Sequence, residues 1–490
     1  ISTDVDATPF LQSLINAMPD GMTLDLLGKT FTVKKNTGFQ SLYPNNDQPC
    51  LVVNNKKNIK IINGKLKVNE HGQGIIEFVN CPNWSLDGVE LEGFGNNFPP
   101  LDGSTGRGEK TGSPTEGYYY SADGLLPRNN SVDTSNRTSG GYGGTFPQFG
   151  GGTASTWGMW GGGYICNMGA GVSQKYSYGR VERCKIHGFN GEGIYAKNYK
   201  YLIAMHNEIY DCYTSGIQGY GFNELAHTPE MLLAAFNTIH HIGHPDASVN
   251  DTFIDPGYGI TTGNSNVTFG RPKVYITQGN IIYDCKRKGI DSHSADIVIS
   301  KDNTIDRSGF GIAIGTTFGS NHYSVTITDN TITDIQYSAT DQGCGIRVVG
   351  TGLTVGTAKI SGNTIKNVGR ETTNLHTSLL GLGIYVAGIR EANVYGNSVT
   401  NDSNFAGFMG VSNALNAVAY CPSFIANGNT VRGLFGSGLF LFGNLTVGAD
   451  KQLVKKMYQA YNNTIHLYNL SPLGFNIFYS CINGLTTAKM

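Results

Sequence analysis

The sequence has 490 residues, of which 67 are glycine, and only 14% of its side chains are charged. A hydrophobic fraction of 39% is enough to build a core, so the composition excludes a disordered chain, and glycines without a strict three-residue period exclude collagen. With 35 basic and 36 acidic residues and no apolar run of 18 residues, the chain lacks both the basic surface for nucleic acid and a membrane span.

The first predicted element is a short amphipathic helix. Apolar residues recur at helical spacing from Ala7 to Met18, Pro19 and Gly21 end the pattern, and residues 22–26 are predicted to form a strand. Such a helix can cap the open end of a β-structure, which would otherwise expose unpaired strand edges. Because the chain begins with Ile1 and shows no charged-then-apolar leader, we expect that an upstream part has been removed.

The next part of the chain combines two strand patterns with a long insertion. Residues 58–62 and 84–89 are predicted to be strands, whereas residues 93–163 are rich in Gly, Ser, Thr, Pro and Tyr. Loops of this length inside a compact protein are functional or disordered. The aromatic side chains of this segment favour an ordered surface insertion.

An internal repeat occupies the rest of the chain. An Asn-x-(Ile/Val) signal recurs mostly every 23 to 34 residues, and the interval of 43 residues after Asn237 indicates an insertion. A second signal, Gly followed by an apolar residue, lies between successive asparagines, as at Gly289, Gly311 and Gly345. The asparagines are Asn207, Asn237, Asn280, Asn303, Asn330, Asn363, Asn397, Asn429 and Asn463.

This repeat predicts an all-β fold, a right-handed single-stranded parallel β-helix with a short N-terminal capping helix. Two short strands per repeat cannot bury a face alone, whereas stacked coils pair every backbone group with the coils above and below. Asparagine suits the turns because its side chain bonds locally and it tolerates left-handed φ. The residue three positions after the core Ile is mostly apolar, which makes Cys212 and Cys285 packing residues.

The nine cysteines are too sparse for a disulfide scaffold and form no CxxC pair, so we expect neither a thiolate zinc site nor folding outside a reducing cytoplasm. The adjacent His240 and His241 occupy a turn position filled elsewhere by Tyr-Asp or Thr-Asp. A turn pair is therefore a better interpretation than a metal site. We expect no metal and no cofactor.

Residues 6–33, with the helix followed by Gly28 and the strand 29–33, resemble the start of a pectate-lyase-like β-helix of bacteriophage tailspikes. The Asn-x-Ile repeats over about 180–465 resemble the same group. The resemblance implies a homotrimer in the virion tail that cleaves bacterial surface polysaccharide, capsule or O-antigen, as a glycosidase or a lyase. It also implies contact with other tail proteins through a missing N-terminal part. No C-terminal trimerisation domain is evident after residue 465.

The predicted domains are an N-terminal cap with the first strands (1–57), first coils carrying the insertion 93–163 (58–179), and the main β-helix with its C-terminal coils (180–490). Function is expected on outward positions, because inward ones fill the core. Counting from each repeat glycine places Asp291 and His293 on one outward face, beside small residues that leave room for a sugar. The other outward side chains nearby are Tyr220, Arg347 and Tyr385.

Hydrolysis is the first choice of chemistry, because loops leaving the coils bring further carboxylates to this face. Glycosidases need two carboxylates, and Asp291, Asp255 and Glu224 are the candidates, one of them with a raised pKa. The candidate sugar-binding residues are Tyr220, Tyr258, Arg347, Tyr385, Trp157 and Trp160. For both tryptophans, packing of the insertion is an equal alternative.

A lyase would instead need a base at the C5 proton of a uronate and a cation on its carboxylate. His293, Tyr220 or Tyr258 could be the base, with Arg347 or the basic run 286–288 as the neutralising group. A further alternative is an adhesin that only grips the polysaccharide. The sequence does not name the glycan or its linkage.

Overall fold

The computed structural model describes residues 5–34, 49–68, 74–93, 170–189, 191–212, 214–221, 228–243, 257–264, 272–285, 287–293, 295–315, 324–336, 343–350, 356–369, 382–401, 413–418, 423–433, 437–442, 457–467 and 478–480. The chain divides into two compact units. The first comprises Ile1–Glu230 with Phe236–Ile260, and the second comprises Met231–Ala235 with Thr261–Met490. The domain boundaries proposed after residues 57 and 179 stay predictions.

The first unit begins with the helix α1 (Thr8–Ala17), which has Pro9 in its first turn and packs against β1 and β2. Its strands are β1 (Thr23–Val33), β2 (Leu51–Asn54), β3 (Lys60–Val68), β4 (Ile76–Val79), β5 (Trp84–Glu92), β6 (Val172–Lys175), β7 (Tyr178–Glu182), β8 (Lys185–Phe189), β9 (Glu192–Lys197), β10 (Tyr201–Met205), β11 (Glu208–Cys212), β12 (Ser215–Gly221), β14 (Thr238–Ile242) and the start of β15 (Tyr258–Asn264).

The second unit contains the end of β15 and twenty-two further described strands. They are β13 (Met231–Ala235), β16 (Val274–Gln278), β17 (Ile281–Cys285), β18 (Lys288–Ser292), β19 (Ile297–Lys301), β20 (Thr304–Asp306), β21 (Phe310–Gly315), β22 (Ser324–Thr328), β23 (Thr331–Gln336), β24 (Cys344–Val349), β25 (Thr357–Ser361), β26 (Thr364–Gly369), β27 (Leu382–Ala387), β28 (Glu391–Tyr395), β29 (Ser398–Asn401), β30 (Asn413–Val418), β31 (Ser423–Asn427), β32 (Thr430–Gly433), β33 (Ser437–Phe442), β34 (Met457–Tyr461), β35 (Thr464–Leu467) and β36 (Phe478–Ser480).

Each coil of the second unit is made of three strands rather than the two that the repeat predicts. The first strand of a coil precedes the asparagine, the second follows it, and the third begins near the repeat glycine, as in β16, β17 and β18. Each strand pairs in parallel with its counterpart in the next coil, as β16 does with β19, β17 with β20 and β18 with β21. The strand missed by the prediction is the one before the asparagine.

The asparagines stack inside the coils. In the second unit the Nδ2 group of Asn303 donates to Oδ1 of Asn330 at 2.9 Å, and the backbone N–H of Asn303 donates to the same oxygen. Asn330 repeats both bonds to Asn363, and its Nδ2 also donates to the carbonyl of Ser300. Buried amides need partners, and here each coil supplies them to its neighbour.

The left-handed residue of this turn is the one before the asparagine, which corrects the predicted role of the asparagine itself. Asp302 and Asp329 have φ of 56° and 58°, and glycine takes the same place at Gly362 with φ of 67°. Asparagine is therefore selected at its own position for stacking. The repeat glycines allow the backbones of adjacent coils to lie close together. A Cβ on Gly311 would lie 2.3 Å from the carbonyl oxygen of Gly345.

The prediction of an all-β parallel β-helix with an N-terminal helix is confirmed. α1 buries Leu11 and Ile15 against the first strands, and the predicted core column, including Cys212, Ile242 and Cys285, is buried. Within the described residues every cysteine is buried and unbridged. Across the same residues, no helix is long and apolar enough to cross a membrane.

We predict that Asn330→Ala lowers the free energy of unfolding by about 2 kcal/mol or more, because the buried donors of Asn303 lose their acceptor. Thr331→Ala is the matched control, since Thr331 is the exposed neighbour on the same turn. Urea denaturation of both variants measures the difference. Equal midpoints for the two variants would show that the asparagine stack is not a source of stability.

Candidate active site

Asp291 lies on an outward column of the second unit, at the position predicted from the sequence. Register aligns it with Ala313 on β21, Arg347 on β24 and Tyr385 on β27. Neighbouring strands are about 4.8 Å apart, so Arg347 lies roughly 10 Å along the column from Asp291. Arg347 and Tyr385 are half-buried, whereas Asp291 is only 1% exposed.

Three side chains converge on the Asp291 carboxylate. Lys288 Nζ lies 2.9 Å from Oδ1, His293 Nε2 lies 2.6 Å from Oδ2, and the Thr261 hydroxyl donates to Oδ2 at 3.2 Å. All four residues are buried, with His293 at 9% the most exposed of them. The backbone N–H of His293 donates to the carbonyl of Thr262, and this bond holds the backbone from which the imidazole projects. We call Thr261, Lys288, Asp291 and His293 the Asp291 cluster.

The cluster holds Asp291 as a carboxylate. Burial alone would raise its pKa, but the interactions with His293 and Lys288 lower the pKa well below its usual range. Burial lowers the pKa of His293, and Lys288 and Arg287 lower it further against the opposing effect of Asp291. The consistent protonation state is therefore an Asp291–Lys288 ion pair beside a neutral imidazole.

His293 Nε2 lies 2.6 Å from Asp291 Oδ2, within ion-pair distance. A neutral imidazole beside a carboxylate can act as a base, because the carboxylate stabilises the imidazolium that forms when the ring takes up a proton. Gly315 is the last residue of β21, the strand that pairs with β18, and among the described residues a Cβ on it would meet nothing within 4 Å. The room for a sugar ring beside the cluster stays a prediction.

Of the other predicted site residues, Tyr220 and Tyr258 belong to the first unit and are buried. Tyr220 packs there with Ala170 and Tyr195. The remaining four, Asp255, Glu224, Trp157 and Trp160, lie outside the described residues. Lys288 was expected only as part of a basic run, and its contact with Asp291 was not foreseen.

One further group on the first unit has metal-binding residue types. Donor atoms of Glu90, Glu92 and His187 lie within 4.8 Å of one another. Lys65 Nζ lies 2.8 Å from Glu90 Oε1 and also contacts Glu92. Lys67 Nζ lies 3.0 Å from Glu92 Oε1, so two ammonium groups balance the two carboxylates and this group is an ion-pair network on the sheet.

The predicted turn pair, His240 and His241, lies within the strand β14. His241 has a φ of 52°, and the imidazole of His240 stacks on Tyr210 with ring centroids 4.9 Å apart. Tyr210 stacks in turn on His187. These rings form a ladder along successive coils.

No protein-family model and no curated protein matches the sequence. Among solved structures, the A-module of the mannuronan C-5 epimerase AlgE6 from Azotobacter vinelandii aligns with a TM-score of 0.51 and 11% identity, covering 96% of this chain and 97% of that one. The Dettilon tailspike protein aligns at 0.37 and 13%, covering 95% and 66%. PfbA, a surface adhesin of Streptococcus pneumoniae, aligns at 0.40 and 10%, covering 99% and 90%. The chain has a parallel β-helix fold.

We expect Lys288→Met to destabilise the second unit by about 3–5 kcal/mol, because it leaves the buried Asp291 carboxylate without its cation. The double variant Lys288→Met/Asp291→Asn removes both charges and should recover most of the loss. Urea denaturation of the two variants and the parent chain gives the comparison. A single variant as stable as the parent would contradict a buried ion pair.

Proposed function

We propose that the chain binds and cleaves a uronate-containing polysaccharide, and that His293 removes the proton at C5 of the sugar. The carrying observation is the Asp291 cluster, which holds a neutral imidazole against a buried carboxylate paired with Lys288. Base catalysis needs a deprotonated group near the working pH, and His293 meets that need. The half-buried Arg347 on the same column offers the cation for the uronate carboxylate.

The reaction that suits these groups is β-elimination. His293 takes the C5 proton, the electrons of the C–H bond form a double bond between C4 and C5, and the C4–oxygen bond breaks. The proton on the imidazolium can return to the departing oxygen, which restores the base. Asp291 stabilises the imidazolium in between, as a carboxylate does in other acid–base pairs.

Hydrolysis by paired carboxylates receives less support from the described residues. A general acid needs a raised pKa, whereas the pKa of Asp291 is lowered and its oxygens bind three donors. The other two candidates, Asp255 and Glu224, lie outside the described part of the chain. The geometry therefore favours elimination over the mechanism that the sequence placed first.

The biological setting belongs to the same proposal. A homotrimeric tailspike in a virion tail, acting on capsule or O-antigen of a host bacterium, fits the fold and the sequence resemblance. The epimerase to which the chain is similar is named for C5 of mannuronan, the carbon from which His293 would remove a proton. Light scattering tests the assembly, since a monomeric mass would contradict the trimer.

The first functional prediction concerns the base itself. His293→Gln and Asp291→Asn should each lower the rate of unsaturated uronate formation by about 10²-fold or more, because one removes the base and the other removes the carboxylate that stabilises its protonated form. Ultraviolet absorbance of the product, followed over a panel of acidic bacterial polysaccharides, measures the rate. Asp302→Asn, an exposed carboxylate in the same unit, is the control and should keep full activity.

The outcomes separate the alternatives. Oligosaccharides without ultraviolet absorbance would replace elimination by hydrolysis. If the protein binds glycans but releases no oligosaccharide from any of them, it is an adhesin and not an enzyme. Full activity of both His293→Gln and Asp291→Asn on a confirmed substrate would show that the active site lies elsewhere in the protein.

A second prediction concerns pH. Because His293 acts in its deprotonated form and burial lowers its pKa below 6.5, kcat/KM should be highest at the alkaline end and fall to half of its plateau only below pH 6.5. A pH–rate profile with saturating and limiting substrate tests this. An acidic limb with its midpoint above pH 7 would contradict the neutral imidazole.

A further inference from the structure

Glu77 is a second buried carboxyl group on an outward column, in the first unit. Its strand β4 lies between β2 and β6, and register aligns Glu77 with Val52 on one side and Ser173 on the other. Its residue exposure is 0%, and neither carboxyl oxygen has a hydrogen-bond partner within the described structure.

The surroundings of Glu77 differ from those of Asp291, although both carboxyl groups are buried. Asp291 contacts Lys288 and His293, and its pKa is lowered. Glu77 has no such contact, and burial raises its pKa from 4.5 to about 7. A buried carboxylate without partners is costly, so the group takes up a proton instead.

Two cations face Glu77 from the neighbouring coils. Lys175 on β6 is aligned with Lys197 on β9, and both lie two positions along their strands from the column that contains Glu77. Both lysines lower the pKa of Glu77 without contacting its carboxyl group. The neighbour from β2 is the apolar Val52. An ionised Glu77 therefore gains a counter-charge only by moving toward the lysines, and staying in place leaves the charge unpaired.

We propose that Glu77 is a proton-operated switch of the first unit. Protonated, it packs as a neutral side chain and keeps β4 closed against β2 and β6. Ionised, it leaves its buried position toward Lys175 and Lys197 and loosens the outward face around β4. The proton is the ligand of this site, and its binding is coupled to the packing of three neighbouring strands.

The direction of the effect follows from linkage. The folded chain holds the Glu77 proton up to about pH 7, whereas the unfolded chain loses it near pH 4.5. Folding is therefore strongest at low pH, and in this window each rise of one pH unit weakens the folding equilibrium of the unit about tenfold. Above pH 7 the loss is complete and the dependence levels off.

The test compares Glu77→Gln, which is neutral at every pH and similar in shape, with the parent chain. Between pH 4 and pH 8 the melting temperature of the parent should fall relative to that of Glu77→Gln, the two should agree at pH 4, and the variant should be the more stable at pH 8. Hydrogen exchange of a peptide covering 74–79, corrected for the intrinsic rate, should show protection lost at pH 8 in the parent only.

Glu208→Gln is the matched control, because Glu208 is an exposed carboxylate of the same unit, and it should keep the pH dependence of the parent. The proposal is overturned if Glu77→Gln keeps that dependence, or if it is less stable than the parent at pH 8. Unchanged exchange of 74–79 in the parent between pH 6 and pH 8 would overturn the loosening of β4.

Discussion

Each unit depends on the hydrogen bonds between the buried side chains of the repeat asparagines in successive coils. The Nδ2 group of the asparagine and the neighbouring backbone N–H both donate to a single oxygen one coil away, as at Asn303 and Asn330. A coil shifted by one residue would leave those donors buried without an acceptor, at a cost of about 1–3 kcal/mol for each group. The stack therefore fixes the register, and fixed register puts side chains of distant sequence into the same outward column.

This constraint explains what the sequence predicts well. Asparagines and glycines at matching intervals define the coils, and alternation from each glycine places Asp291, Arg347 and Tyr385 in one column, where register has them. The third strand of each coil was missed because the short strand before each asparagine carries no glycine or asparagine signal of its own. The stacked role of the asparagine was missed because a local turn and an inter-coil bond have the same sequence signature.

Lys288 shows why the cluster could be predicted only in part. Strict alternation from Asp291 would turn Lys288 inward, but the pairing with β21 passes over Gly289 between Lys288 and Ile290. A Cβ at Gly289 would lie 2.6 Å from the side chain of Ile305, so the chain bends there with its bare backbone toward the core. Lys288 thereby returns to the face of Asp291, three residues away.

Asp291 and Glu77, two of the buried carboxyl groups, show how a chain with little charge obtains chemistry from burial. Asp291 and Glu77 are equally hidden from water, yet the pKa of the first is lowered and that of the second is raised. The difference lies in the neighbours that register supplies, Lys288 and His293 in one case and Val52 and Ser173 in the other. An acidic sugar bound beside His293 would add negative charge near the imidazole and raise its pKa, so substrate itself would strengthen the base that attacks it.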